Sequence, residues 1–158
     1  MKEILLTQGK ITLVDDEDYD FLMQWKWSLV KGNRTLYAQR KTGFRHQKNK
    51  NIWMHRLILN VPDGKQTDHI DHNGLNNQKS NLRICNNSQN QINKRIIKKG
   101  KSKYTGVTFV KNKYIVAQIS VEHKHINLGY FKTEELAAKA YDEAANRMHG
   151  EFATLNFK

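Results

Sequence analysis

Cysteine is almost absent from this 158-residue chain, and the single Cys85 excludes an internal disulfide and any multi-cysteine zinc knuckle. No structural zinc is therefore expected. Proline is as scarce: Pro62 stands alone, inside the turn signal Val61-Pro62-Asp63-Gly64. No apolar run is long enough to span a bilayer, and the opening Met1-Lys2-Glu3 lacks the apolar core of a signal peptide. A cytoplasmic protein with no membrane partner is the simplest expectation. Acid is in short supply too, with 15 Asp plus Glu against 27 Lys plus Arg and a net charge of +12. That imbalance points to a polyanionic partner, nucleic acid ahead of an anionic membrane surface.

What the chain does have is concentrated between residues 68 and 90. Asp68-His69 ends a short strand set up by the Pro62 turn, and it puts a carboxylate beside an imidazole. A Gly/Asn-rich loop follows, Ile70-Asp71-His72-Asn73-Gly74-Leu75-Asn76-Asn77, then a brief apolar segment with Leu82, Ile84 and Cys85. Ser88 or Asn87 is a good N-cap for the polar stretch beyond, which places Asn90 in the first turn of a helix. Folded back, Asn90 lies beside Asp68. Their two hard oxygens can then share a divalent cation, while His69 takes a proton from water. Asp71-His72 nearly repeats the pair and stays an alternative source of ligand or base.

The string His55-Arg56, Asp68-His69, Ser80-Asn81-Leu82-Arg83 and Gln89-Asn90 resembles the HNH endonucleases. It is similar to the branch whose last motif position is Asn, as in phage and intron-encoded homing enzymes. The resemblance covers roughly the middle third of the chain and implies a ββα-metal site. In that site Asp68 and Asn90 bind the metal, His69 is the general base and Asn81 braces the loop. Mg²⁺ is the implied ion because both ligands are hard oxygens, with Mn²⁺ able to substitute.

Upstream, residues 3–14 alternate around Gln8-Gly9 as a hairpin expects. Asp15-Asp16-Glu17-Asp18 reads as a helix start, capping being preferred to a metal site, with Phe21, Leu22 and Trp25 as the buried face. A second hairpin, residues 27–30 and 35–40, turns at Lys31-Gly32-Asn33. Residues 40–50 form a basic loop, solvated or on phosphates. An amphipathic helix over 52–59 carries His55, for a structural hydrogen bond, and Arg56, for a phosphate or a carboxylate. Residues 94–103 are a basic linker suited to lie along a DNA backbone.

The last third reads as three strands, 104–110, 114–121 and 123–131, and a helix. In the middle strand Ile115, Ala117, Ile119 and Val121 share one face, opposite Tyr114, Val116, Gln118 and Ser120; in the third, Ile126, Leu128 and Tyr130 alternate. Thr133 caps the helix, whose stripe is Leu136, Ala137, Ala140, Tyr141, Ala144, Ala145 and Met148, and Gly150 ends it. The strings Tyr104-Thr105-Gly106-Val107, Leu128-Gly129-Tyr130-Phe131, Ala140-Tyr141-Asp142 and Leu155-Asn156-Phe157 resemble the AP2 DNA-binding domain across residues 103–157. The resemblance implies a sheet whose outer face enters the major groove. Outer positions that are usually Arg, Glu or Trp are here Thr105, Thr108, Val110, Gln118, Ser120 and Asn127, so base preference does not carry over.

The fold expected is α+β. An N-terminal β-rich region (1–50) with DNA contacts leads into a ββα-metal core (51–95), a basic linker (96–103) and a three-stranded antiparallel sheet packed on one helix (104–158). The function expected is a metal-dependent endonuclease acting on double-stranded DNA, nicking or cutting both strands, as a monomer on DNA. Candidate DNA contacts are Arg56, Lys103, Thr105, Thr108, Lys111, Lys113, Gln118, Ser120 and His125. The alternative is a non-catalytic AP2-type regulator with a vestigial HNH domain.

Overall fold

Apolar residues at alternate positions on either side of Gln8-Gly9 fold the N-terminus into an antiparallel hairpin of β1 (Lys2–Leu5) and β2 (Ile11–Val14). The computed structural model describes residues 1–42, 50–93, 101–111, 113–121 and 124–157. They form two units, Met1–Asn87 and Ser88–Lys158. Both are built from small antiparallel sheets and short helices, an α+β composition.

In the first unit, α1 (Asp16–Leu22) follows the hairpin. Its buried face is narrower than the sequence suggests: Leu22 is fully buried, but Phe21 is 47% exposed and Trp25 lies beyond the helix. The buried aromatic is Trp27, whose Nε1 donates to the Leu22 carbonyl at 2.8 Å. Asp15 does not cap α1 through its side chain. Its two carboxylate oxygens accept instead from Gln78 Nε2 at 3.2 Å and Lys79 N at 2.7 Å, because folding brings those donors onto it from a loop distant in sequence. The sequence does not reveal that pairing.

A three-stranded sheet comes next: β3 (Ser28–Lys31), β4 (Leu36–Thr42) and β5 (Lys50–Trp53), in that order. The expected helix over 52–59 shrinks to α2 (Met54–Ile58), because residues 50–53 complete the sheet against β4. Most of the basic segment 40–50 lies outside the described residues, but Arg40 is part of β4. The expected hairpin strand ending at Arg40 runs on to Thr42, and the Arg40 guanidinium sits 4.3 Å over the Trp25 ring in a cation–π contact. The core of this unit gathers Ile4, Leu6, Val14, Leu22, Trp27, Ala38 and Met54. Next in the chain comes the ribbon of β6 (Gln66–His69) and β7 (Leu82–Cys85), joined by the loop 70–78, whose Leu75 packs against that core, and a 3₁₀ turn, Lys79–Asn81. Helix α3 (Asn87–Ile92) follows β7 in the chain and begins at Asn87, not after it.

In the second unit, β8 (Val107–Val110), β9 (Tyr114–Val121) and β10 (Lys124–Phe131) make a sheet with β9 central, covered by α4 (Glu134–His149). Thr133 Oγ1 accepts from Leu136 N at 3.3 Å, as an N-cap does, and Gly150 ends the helix. The helix buries Ala137, Ala138, Tyr141, Asp142, Ala144 and Ala145, whereas Leu136 is 49% exposed. Alanines let the helix approach the sheet closely. Gly106 lets the Tyr141 ring do the same, since a Cβ there would lie 1.9 Å from it.

A β-bulge between Asn127 and Gly129 overturns the expected alternation of Ile126, Leu128 and Tyr130. The extra residue reverses the pleat, so Tyr130 points outward, 67% exposed, and Phe131 packs into the core. Val116 shares the outer face yet is buried, flanked by its cross-strand partners Thr108 and Tyr130. Residues 94–100 of the expected linker, Asn112 of the expected turn and His123 of the expected third strand lie outside the described residues. Among the described residues, no helix is long and apolar enough to cross a membrane.

Candidate active site

Antiparallel pairing of β6 with β7 sets Asp68 opposite Arg83 and His69 opposite Leu82. Both Asp68 and His69 are buried, each 6% exposed. Arg83 gives Asp68 Oδ2 two donors, Nε at 2.8 Å and Nη2 at 2.7 Å. A buried carboxylate needs such a partner to stay charged. Residue order alone gives Arg83 no role; the register of the ribbon is the signal that finds it, since opposite charges sit directly across the ladder.

The His69 ring lies among aromatic neighbours, with its centroid 5.1 Å from His55 and 5.8 Å from Tyr37. Burial pushes the His69 imidazole below its ordinary pKa, against the opposing pull of Asn77, Asp71 and Asp68. It is neutral at pH 7 and able to accept a proton. His55 is driven further, to about 3, first by burial and then by His69 and Arg56. Its ring stacks on Trp53, with centroids 5.9 Å apart. His55 Nδ1 is buried without a hydrogen-bond partner, so packing holds that edge of the ring where a structural hydrogen bond was expected. Burial and Asp68 raise the Cys85 thiol to about 11, which leaves it protonated.

The loop after His69 is held at many points. Asn81 Oδ1 accepts from Asp71 N at 3.0 Å, while its Nδ2 donates to Asp71 Oδ1 and to the Asn76 carbonyl, both at 2.9 Å. Asp71 also accepts from Asn73 N and Asn76 Nδ2, each at 2.8 Å. Burial alone would raise the Asp71 pKa; these hydrogen bonds outweigh it and lower it. Asp71 therefore belongs to the loop's own scaffolding. His72 takes a left-handed backbone, φ 63°, and is exposed, well apart in character from its buried neighbour His69.

Two distant segments complete the frame. The edge of β2 pairs with the loop, Leu13 N donating to the Leu75 carbonyl and Asn77 N to the Leu13 carbonyl, both at 2.8 Å. Gly74 lies against β4, where a Cβ would be 2.4 Å from the Leu36 carbonyl, and its N donates to Thr35 Oγ1 at 3.0 Å. The N-terminal region thus builds the site loop, a role the sequence did not suggest. Arg56 lies on α2 and is held by backbone carbonyls. Its guanidinium donates to the carbonyls of Lys65 at 2.7 Å and of Val61 and Pro62 at 3.4 Å, because the turn after α2 wraps those carbonyls around it.

In the second unit, β9 register puts Thr108, Val110, Tyr114, Gln118, Ser120, His125, Asn127 and Tyr130 on the face away from α4. Ser120 Oγ and His125 Nδ1 are 2.8 Å apart on that face. Lys113 Nζ sits 5.6 Å over the Tyr114 ring, and Lys111 lies at the same end of the sheet. Thr105 is not on a strand: its N and carbonyl are held by the Asn156 side chain. Asn156 in turn donates to buried Asp142, which ties the chain end to α4. Lys103 lies on the helix side, 3.9 Å from Glu135.

No family model matches the chain. A protein of Acanthamoeba polyphaga mimivirus named as an uncharacterised HNH endonuclease is 33% identical over 163 residues, 96% of this chain and 79% of that protein. An Arabidopsis thaliana transcription factor named for AP2/ERF and B3 domains is 39% identical over 71 residues, 45% of this chain and 21% of that protein. An alignment that runs almost end to end takes in the Asp68-His69 ribbon along with everything that supports it, and on that likeness the chain belongs to the HNH endonuclease family.

Proposed function

We propose that this protein is a metal-dependent, homing-type DNA endonuclease that hydrolyses a phosphodiester bond in double-stranded DNA. The observation that carries the reading is the pair Asp68 and His69, adjacent and buried, one carboxylate steadied by Arg83 and one imidazole kept neutral. His69 accepts the proton of the attacking water, and Asn81 keeps the loop in place around it. Asp68 and Asn90 would hold the ion, Mg²⁺ with Mn²⁺ as substitute. The donor chemistry suits it, a carboxylate and an amide oxygen both being hard ligands. Two protein ligands would leave the ion several waters, as Mg²⁺ prefers. When bound, such a cation stabilises the charge on the pentacovalent phosphate and on the leaving oxygen. The outer face of the β8–β9–β10 sheet supplies affinity for the duplex, with Lys111 and Lys113 on phosphates. One such site acts on one strand at a time, so a monomer nicks.

The test is incubation of supercoiled plasmid with the full chain and Mg²⁺. Nicked circles are expected, with Asp68→Ala and Asn90→Ala both inactive yet still shifting DNA in a gel. Near wild-type cleavage by either variant would overturn the ligand assignment. The partial likeness to a transcription factor favours a second reading, a DNA-binding regulator with a vestigial nuclease. Tight binding with no cleavage in either Mg²⁺ or Mn²⁺ would favour that one.

A further inference from the structure

A line of hydrogen bonds runs from a backbone carbonyl of the loop to the His69 ring. The Leu75 carbonyl accepts from Thr12 Oγ1 at 2.7 Å; Asn77 Nδ2 donates to Thr12 Oγ1 at 2.7 Å; and Asn77 Oδ1 faces His69 Nε2 at 3.4 Å. Thr12 and Asn77 are both completely buried, so no bulk water can substitute for any partner.

The direction of every bond follows from its first member. A carbonyl oxygen only accepts, so the one Thr12 hydroxyl proton must lie on the Leu75 side; two oxygens 2.7 Å apart with no proton between them would repel. The Thr12 oxygen is then left to accept, and the Asn77 atom facing it must be the NH₂ group. Asn77 therefore turns its oxygen to His69. That oxygen also only accepts, so Nε2 must carry a proton. A neutral imidazole has one N–H, and Nδ1 is left with its lone pair.

We propose that Thr12 and Asn77 are positioning residues that hold His69 in its Nε2–H tautomer and so make Nδ1 the atom that takes the proton from water. This rests on the reading of His69 as general base. It also gives β2, far from the motif in sequence, a part in the chemistry: the polarity of one loop carbonyl is passed through Thr12 and Asn77 to the imidazole. Neither residue touches substrate. Asn77 is further secured through its backbone N on the Leu13 carbonyl.

The test uses the metal-free full chain, labelled with ¹⁵N in its histidines, and long-range ¹H–¹⁵N spectra at mildly alkaline pH. Protonated and bare ring nitrogens resonate far apart, and the His69 signals are those that vanish in His69→Ala. The wild type is expected to show protonated Nε2 and bare Nδ1. Thr12→Val keeps the shape but removes the hydroxyl, so the Asn77 amide can turn over. Mixed tautomers are expected, with kcat down roughly 10- to 100-fold, the scale for groups that orient a reacting residue, and KM little changed. Thr12→Ser should restore both the spectrum and the rate. Asn77→Ala should behave as Thr12→Val does. A wild-type ring protonated on Nδ1, or a Thr12→Val protein with wild-type spectrum and rate, would overturn the proposal. The spectrum needs no turnover. Efficient cleavage by His69→Ala would instead remove the base role itself, a separate result.

Discussion

In the first unit the buried polar side chains sit together; in the second they sit apart. Thr12, His55, Asp68, His69, Asn77 and Asn81 are all buried, on β2, α2, β6, the loop after it and the 3₁₀ turn that closes that loop. The second unit buries Asn93, Ser102 and Asp142 at separate places, Asp142 anchoring the C-terminal segment through Asn156 and Phe157, and sets Thr108, Gln118, Ser120, His125 and Asn127 along one sheet face. A packed interior accepts polar groups only where each is answered by a partner. The first unit meets that demand for Thr12, Asp68, Asn77 and Asn81 with segments from residues 12 to 83, and leaves His55 Nδ1 to packing alone. The second keeps an alanine-lined helix against one face of its sheet and carries a row of polar residues on the other, an arrangement suited to a broad, wet partner such as a duplex.

The contrast can be broken most sharply at the two neighbouring histidines. His69→Ala should lose at least about 100-fold in cleavage rate, while His72→Ala should lose little. Single-turnover rates with excess enzyme measure both. Reversed effects would mean that the exposed His72 is the base and that burial does not mark the site.

A steric change in the second unit should come next in size. Gly106 has φ 74° and faces the Tyr141 ring, so Gly106→Ala should cost roughly 2–4 kcal/mol in that unit. All three tryptophans, Trp25, Trp27 and Trp53, belong to the first unit. Denaturation followed by tryptophan fluorescence should therefore barely move, while the far-ultraviolet dichroism transition shifts to lower denaturant. Equal shifts in both signals would show the two units unfolding as one.

Acid should weaken the first unit. The unfolded chain takes up a proton at His55 near its ordinary pKa of 6.5, but the folded one resists until about 3. The His55 contribution is therefore complete above pH 6.5 and is lost as pH falls through that interval, by about 1.4 kcal/mol per pH unit. Urea unfolding by tryptophan fluorescence at pH 7 and pH 5 measures it, and His55→Phe should flatten the dependence. An equally steep fall in the variant would assign the effect to other groups.

The smallest effect is expected on the outer sheet. Replacing Lys111 and Lys113 with Ala should make DNA binding less sensitive to salt, by about 0.9 in the log–log slope for each phosphate no longer neutralised. Sequence preference should change little, because among the described residues no Arg stands on that face to read guanine. A large change in preference with an unchanged slope would make the lysines readers of bases.

Much of this was legible from residue order. Alternation located the N-terminal hairpin and the central strand β9, and Thr133 marked the start of α4. What escaped was whatever depends on register or on distant partners. The bulge at Leu128 moved Tyr130 outward although its spacing matched an inward residue. Residues 50–53 joined a sheet because β4 offered an unpaired edge, which a reading of local helical pattern does not register. Asp15 looked like a cap and instead accepts from a loop 63 and 64 residues further along the chain.

Sequence by itself determined the basic charge, the α+β pattern of short elements and the pairing of a carboxylate with an imidazole at residues 68 and 69. Those are properties of composition, period and adjacency, which the chain carries before it folds. Tertiary structure decided which oxygen Arg83 would hold, that Asp71 would serve the loop, and that Thr12 and Asn77 would stand behind His69. Hydrogen-bond direction and burial belong to the space around a side chain, and only folding brings residues 12, 69, 75 and 77 into the same space.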